Sequence, residues 1–216
     1  MHANASATST ATTSHHVRLA HFPVALFSTV MGIAGLTIAW LKAHHTGGVP
    51  VEIGVALRWL ASALYLFLLL MYGAKLLRHP EAVKADRAHP IRLNFFPAIS
   101  IGLLLLSIGW AQDAPAGARW MWGIGAAVHL IFTLFAMSSW IHHTHYDIKH
   151  ANPAWFIPVV GNIIVPIATF EMSARSGQVF YAGLSWLMLA VLSGVVALLA
   201  FKTLLAASRK QICVPE

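Results

Sequence analysis

The feature that most constrains this chain is a succession of apolar runs, each long enough to cross a bilayer as one helix. They extend from about Leu19 to Leu41, Ile53 to Leu77, Leu93 to Trp110, Trp120 to Ile141, Ala154 to Phe170 and Val179 to Phe201. Hydrocarbon offers the backbone no hydrogen-bond partner, so a spanning segment must satisfy its own amides, and an apolar run of about 18 residues or more reads as a transmembrane helix. The spacing therefore predicts an all-α, polytopic membrane protein with six transmembrane helices in three hairpins. Charged residues make up only 10% of the chain and hydrophobic ones 58%. A soluble domain carries roughly 25% charged residues, so a water-soluble core is a poor alternative.

The runs are not equivalent. Arg92-Leu93-Asn94-Phe95-Phe96-Pro97 repeats the pattern of Arg18-Leu19-Ala20-His21-Phe22-Pro23, and Pro153-Ala154-Trp155-Phe156-Ile157-Pro158 is a looser copy without the arginine. Each copy leads into a glycine-containing run, so spans one, three and five carry prolines and spans two, four and six do not. Three hairpins of one design are the simplest reading. Pro23, Pro97 and Pro158 either occupy first turns, where proline is tolerated, or bend their helices. Pro166 is different, because it lies eight residues beyond Pro158 and deep in its span. There it frees a backbone carbonyl at membrane depth, which is tolerated only against protein or a water-filled cavity. Broken helices of this kind surround the central route of many transporters. Asn162, next to Gly161, suits the same place. Gly32 with Gly35, Gly102, Gly109 and Gly161 also lie on the proline-bearing spans, where small residues allow close helix packing.

Charge gives the orientation. Arg18, Lys75, Arg78, Lys84, Arg87, Arg92, Lys149, Lys202, Arg209 and Lys210 fall on one side, and Lys42, Arg58, Arg119 and Arg175 on the other. The positive-inside rule then places both termini, and all three proline stretches, at the cytoplasmic face. Residues 1–16 read as a disordered tail, residues 17–206 as the transmembrane domain and residues 207–216 as a short cytoplasmic tail. A cleaved signal peptide is not expected, since the basic flank comes late and the following apolar run is too long. The net charge of +7 is explained by topology and lipid head groups rather than by nucleic acid, and an electropositive route for anions is the sharper reading.

Candidates for chemistry are few. One cysteine, Cys213, offers no disulfide and no thiolate cluster. His142, His143, His145 and His150 form a single cluster, whereas membrane di-iron sites need several such clusters with supporting acids. His129 is the one histidine well inside a span and has no facing partner for a bis-histidine haem. No metal and no cofactor are expected, and no enzymatic site is found. Arg58 and Lys202 lie near span ends, where they can snorkel to the interface. With so few intramembrane ionisable groups, a passive or weakly coupled pathway fits better than a pump.

Arg18-Leu-Ala-His-Phe-Pro-Val-Ala25 with Met31-Gly-Ile-Ala-Gly35, His89-Pro-Ile-Arg-Leu-Asn-Phe-Phe-Pro-Ala98 and Asn152-Pro-Ala-Trp-Phe-Ile-Pro-Val-Val-Gly161 resemble the tellurite-resistance/dicarboxylate transporter family. That family includes bacterial TehA, fungal malate permeases and plant slow-type anion channels. The resemblance implies a quasi-five-fold fold of ten helices in five hairpins, with kinked odd-numbered helices around a pore and even-numbered ones outside. It also implies a homotrimer in the plasma membrane, the inner membrane if the source is bacterial. The partners it implies are the lipid bilayer and anions: monovalent ions, C4-dicarboxylates or tellurite-type oxyanions. By this analogy Phe22, Phe96 and Phe156 contribute apolar constrictions. Pro23, Gly32, Pro97, Gly102, Pro158, Gly161, Asn162 and Pro166 line or bend the pore.

With six spans the chain would supply helices one to six and stop before the ninth, where the resemblance places a gating phenylalanine. It therefore reads as a truncated family member, with an incomplete ring. Two alternatives remain: a His-rich membrane metal or haem oxidoreductase, and a non-conducting truncated subunit that joins longer relatives.

Overall fold

A computed structural model describes residues 19–89, 91–142 and 157–176, together with positions 179–180, 182–187, 189–190 and 193–194. Six α-helices lie in the continuous stretches: α1 (Phe27–Gly47), α2 (Val51–Arg78), α3 (Pro80–Ala88), α4 (Pro97–Trp110), α5 (Pro115–His142) and α6 (Ile157–Ser176). Short 3-10 turns, Val24–Leu26 and Arg92–Phe95, precede α1 and α4. Five stretches are long and apolar enough to cross a membrane: Val24–Gly47, Val51–Arg78, Arg92–Trp110, Pro115–Ala136 and Ile157–Ala174. The chain is thus an all-α polytopic membrane protein. The expected sixth span falls mostly outside the described residues.

The helices pack in two rows. α4 sits between α1 and α6, while α2 packs on α1 and α4, and α5 packs on α4 and α6. The proline-bearing helices therefore form one row and the plain helices the other. Burial follows from that position: 72% of the apolar window of the third span is buried, against 28% in each of the first two. Side chains facing outward on the plain helices, among them Trp59, Leu70, Trp120 and Ile131, are the exposed apolar surface that lipid would cover.

Aromatic packing joins the rows. Phe27 of α1 meets the rings of Tyr65 and Tyr72 of α2 edge-on, with centroids 6.0 and 6.3 Å apart. Edge-to-face rings of this kind contribute roughly 0.5–1.5 kcal/mol beyond the area they bury. The first hairpin closes at Gly48, whose φ of 67° takes the left-handed conformation that ends α1 and lets its amide reach the His44 carbonyl at 3.1 Å. Trp40 Nε1 then donates to the Pro50 carbonyl at 2.8 Å, pinning the turn to the helix it left.

Candidate functional site

The proline stretches do not bend the interiors of the helices they introduce. Pro23 is extended, with φ −84° and ψ 132°, ahead of the first 3-10 turn. Pro97 opens α4, and Pro158 is the second residue of α6. First-turn placement, where the missing amide hydrogen costs nothing, is the option taken by Pro97 and Pro158, while Pro23 precedes its turn. Only Pro166 stands inside a helix. It is buried, it removes the partner of the Asn162 carbonyl, and its own carbonyl accepts the Ser185 hydroxyl at 2.9 Å.

At the proline end the two 3-10 turns touch each other, and the second also touches α6. An ion network holds them. Lys75 Nζ donates to Asp86 Oδ2 at 2.5 Å and to the Phe22 carbonyl at 2.9 Å. Asp86 also accepts Tyr72 Oη at 3.3 Å and Arg92 Nη1 at 3.1 Å. Lys75 and Asp86 are both buried, while the Arg92 side chain is largely exposed. The charged connection expected between spans two and three thus contains a helix, α3, whose Asp86 ties the end of α2 to both proline stretches. Pro80 at its start and Glu81 and Arg87 in its end turns were the signals for it. A cavity of about 410 Å³ lies beside this network, walled by Phe22, Pro23, Lys75, Asp86, Arg92 and Phe95.

The opposite end is built from other pairs. Arg58 is buried, and its side chain reaches a partner in the loop at the end of the third span. Its Nη1 donates to the Gly109 carbonyl at 3.2 Å and pairs with Asp113, and the guanidinium lies 4.2 Å from the centroid of the Trp110 ring. These partners, about fifty residues away in sequence, replace the water that the cation would otherwise seek. Lys42 of α1 and Glu171 of α6 approach to 3.3 Å, and His45 reaches Gln112 at 3.3 Å. Together with Gly109 these four residues edge a cleft of about 30 Å³ where α1, α4 and α6 converge.

Between the two ends lies a buried polar group. His129 of α5 is 0% exposed. Its Nδ1 is 3.0 Å from Ser100 Oγ of α4, and its Nε2 is 3.3 Å from Thr133 Oγ1 one turn on. Asn162 Nδ2 donates to Thr133 Oγ1 at 3.4 Å and to the Pro158 carbonyl at 2.9 Å. The imidazole fills the space beside Gly161, so a β-carbon there would collide with the ring. The sequence had singled out His129, Gly161 and Asn162 separately. Ser100 and Thr133 were missed, although a hydroxyl four residues after an intramembrane histidine is a visible signal.

The other expected positions are dispersed. Phe96 is buried in the core, its ring 6.0 Å from those of Tyr72 and Phe132. Phe22 is half-buried and Pro23 exposed. A β-carbon at Gly102 would press on the Tyr65 ring at 3.2 Å, whereas one at Gly32 would meet no atom within 4 Å among the described residues. Close packing thus accounts for Gly102 and not for Gly32. Phe156, His143, His145 and His150 lie outside the described residues. Among the described residues no group of three or more His, Cys, Asp or Glu side chains is placed to hold a metal ion.

Residues 21–208 match the family of voltage-dependent anion channels. The chain belongs to that family. A tellurite resistance protein TehA homolog of Haemophilus influenzae is 25% identical over 85% of this chain and 53% of its own. The S-type anion channel SLAH3 of Arabidopsis thaliana is 28% identical over 76% of this chain and 27% of its own. An uncharacterized transporter of Methanocaldococcus jannaschii is 25% identical over 68% of this chain and 44% of its own. The chain spans about half the length of these relatives or less. Family membership and five helices of membrane length make it a multi-pass membrane protein.

Proposed function

We propose that the chain forms part of a transmembrane path for small anions, running along the faces of α1, α4 and α6. The observation that carries this reading is the convergence of these three helices on the cleft edged by Lys42, His45, Gln112 and Glu171. The relatives named for anion channels and tellurite resistance support the cargo class: monovalent anions, C4-dicarboxylates or tellurite-type oxyanions. Discrimination would come from pore width and local field rather than from a caging site, since the described part of the inner row, α1, α4 and α6, offers mainly hydroxyls and apolar side chains, with Lys42 paired to Glu171 at one end.

In this reading Pro23, Pro97 and Pro158 set where each inner helix begins, and Pro166 loosens α6 within the bilayer. Gly32, Gly102, Gly161 and Asn162 shape the inner faces, with Phe22 and Phe96 near the proline end; Phe156 is assigned to the path by its place in the repeated sequence pattern alone. That end faces the cytoplasm, by the cation asymmetry, and the protein resides in the plasma membrane as a homotrimer. Because the chain spans only part of its relatives, conduction by these 216 residues is itself part of the proposal.

Purified protein in liposomes tests it, with chloride, nitrate and malate efflux measured in parallel. Efflux above that of empty liposomes, with an order of preference among the three anions, is the expected result. Efflux equal to that of empty liposomes for all three would remove the reading for this chain.

A further inference from the structure

The His129 ring is the centre of a buried hydrogen-bonded group. Its Nδ1 lies 3.0 Å from the Ser100 hydroxyl, which also reaches the Pro97 carbonyl at 2.8 Å. Its Nε2 lies 3.3 Å from the Thr133 hydroxyl, and the ring also bonds to the Pro158 carbonyl, which can only accept. The Asn162 amide gives one hydrogen to Thr133 Oγ1 and the other to the Pro158 carbonyl. Hydrogen bonds thus link the first turn of α6, through α5, to the first turn of α4. The Pro158 and Pro97 carbonyls are acceptors at either end.

The ring also acts by volume. It occupies the place a side chain at 161 would need, between Pro158 and Pro166, where α6 lacks a backbone bond to the Asn162 carbonyl. A helix so interrupted takes its local bend from whatever packs against it. A buried polar network that is fully satisfied fixes geometry more firmly than apolar contact does.

We propose that His129, from the outer row, is the positioning residue that sets the bend of α6 against α4, and through it the width of the path between the inner helices. The statement about width rests on the proposed function; the statement about the bend does not.

Two measurements test the bend without transport. In bilayers, ¹⁵N-histidine spectra of the full chain, with the His129 signals identified by their loss in His129→Gln, should show both ring nitrogens shifted by hydrogen bonding. A ring nitrogen without a hydrogen bond overturns the network. Melting temperatures in detergent should show Gly161→Ala strongly destabilised, and His129→Ala/Gly161→Ala losing clearly less than the sum of the two single losses. Strict additivity overturns the wedge.

Width is read by the ratio of malate to chloride efflux. Ser100→Ala, which cuts the link to Pro97 and leaves the ring in place, should shift that ratio several-fold, and Ser100→Thr should restore it. An unchanged ratio in Ser100→Ala and in His129→Gln overturns the role in width. Should the unaltered protein carry no anion, the pathway reading fails with the claim about width, and the spectra and melting data still decide the bend.

Discussion

The two ends of the helix bundle solve the problem of charge near a membrane differently. At the proline end Lys75 and Asp86 are buried together, and the pair bridges α2, α3 and both 3-10 turns through the Phe22 carbonyl, Tyr72 and Arg92. At the other end Arg58 is buried but its partner Asp113 is half-exposed, and Lys42 is mostly exposed against a sheltered Glu171. One end is a closed ionic knot that fixes backbone positions. The other is a set of looser pairs open to water. A cation count treats all these residues alike, yet only the second kind leaves charge available to attract an ion in solution. Lys75, counted among the cytoplasmic cations, is spent on Asp86.

The sharpest way to break the comparison is to remove one member of the knot. Asp86→Ala leaves the Lys75 ammonium buried with a single carbonyl, and losing one partner of a buried pair costs about 3–5 kcal/mol. A large drop in melting temperature in detergent is expected. Lys75→Met with Asp86→Leu should recover most of that loss, because a well-packed apolar pair avoids the desolvation of both charges. If Asp86→Ala melts like the unaltered protein, the knot does not hold this end together.

Arg58→Leu probes the open end. It removes bonds to the Gly109 carbonyl and to Asp113 and the stacking on Trp110, yet Asp113 can turn to water. A charged hydrogen bond of this sort contributes about 1.5–3 kcal/mol, so the loss should be smaller than for Asp86→Ala. Thermal melts of the two variants side by side check the ranking. A larger loss from Arg58→Leu would mean that the exposed partner, rather than burial of the pair, governs these contacts.

These contrasts also show where sequence reading reaches its limit. The spans and their alternation were legible because hydrophobic length and proline position are local properties, and the two-row packing follows that alternation. The role of Pro23, Pro97 and Pro158 was not, since a fixed φ near −65° suits a first turn and a bend equally. The fate of Arg58 depended on Trp110 and Asp113, and that of Lys75 on Phe22, none of them near in sequence. The same holds for the buried polar group: a lone intramembrane histidine, a glycine and an asparagine are each visible, but only tertiary packing puts the His129 ring against Gly161. Phe96 is a further case: its place in a repeated motif is a local property, whereas its packing against the Tyr72 and Phe132 rings is visible only in the fold.

Gly48→Ala gives a mid-sized effect at the open end. The residue has φ 67°, where an alanine β-carbon is strained by about 1–2 kcal/mol, and no neighbour crowds it. The cost is therefore conformational alone, and a modest fall in melting temperature is expected. Gly47→Ala, one residue earlier within α1, should be neutral or slightly stabilising, because alanine favours the helix by about 1 kcal/mol over glycine. Equal effects at 47 and 48 would show that the turn does not need the left-handed residue.

The smallest change is expected from Glu81→Gln, at the same end as the knot. Glu81 and Lys84 pair at 2.9 Å on α3, three residues apart, with both side chains mostly in water. Exposed pairs contribute about 0.2–1 kcal/mol, and added salt screens them further. Glu81 also sits in the first turn of α3, where a negative charge faces the positive end of the helix dipole. Together these predict a small melting shift that shrinks in high salt. The Asp86→Ala loss should barely respond to salt, since ions do not reach a buried pair. If both variants lose the same fraction of their effect on adding salt, burial is not what separates the Asp86 knot from an ordinary surface pair five residues away.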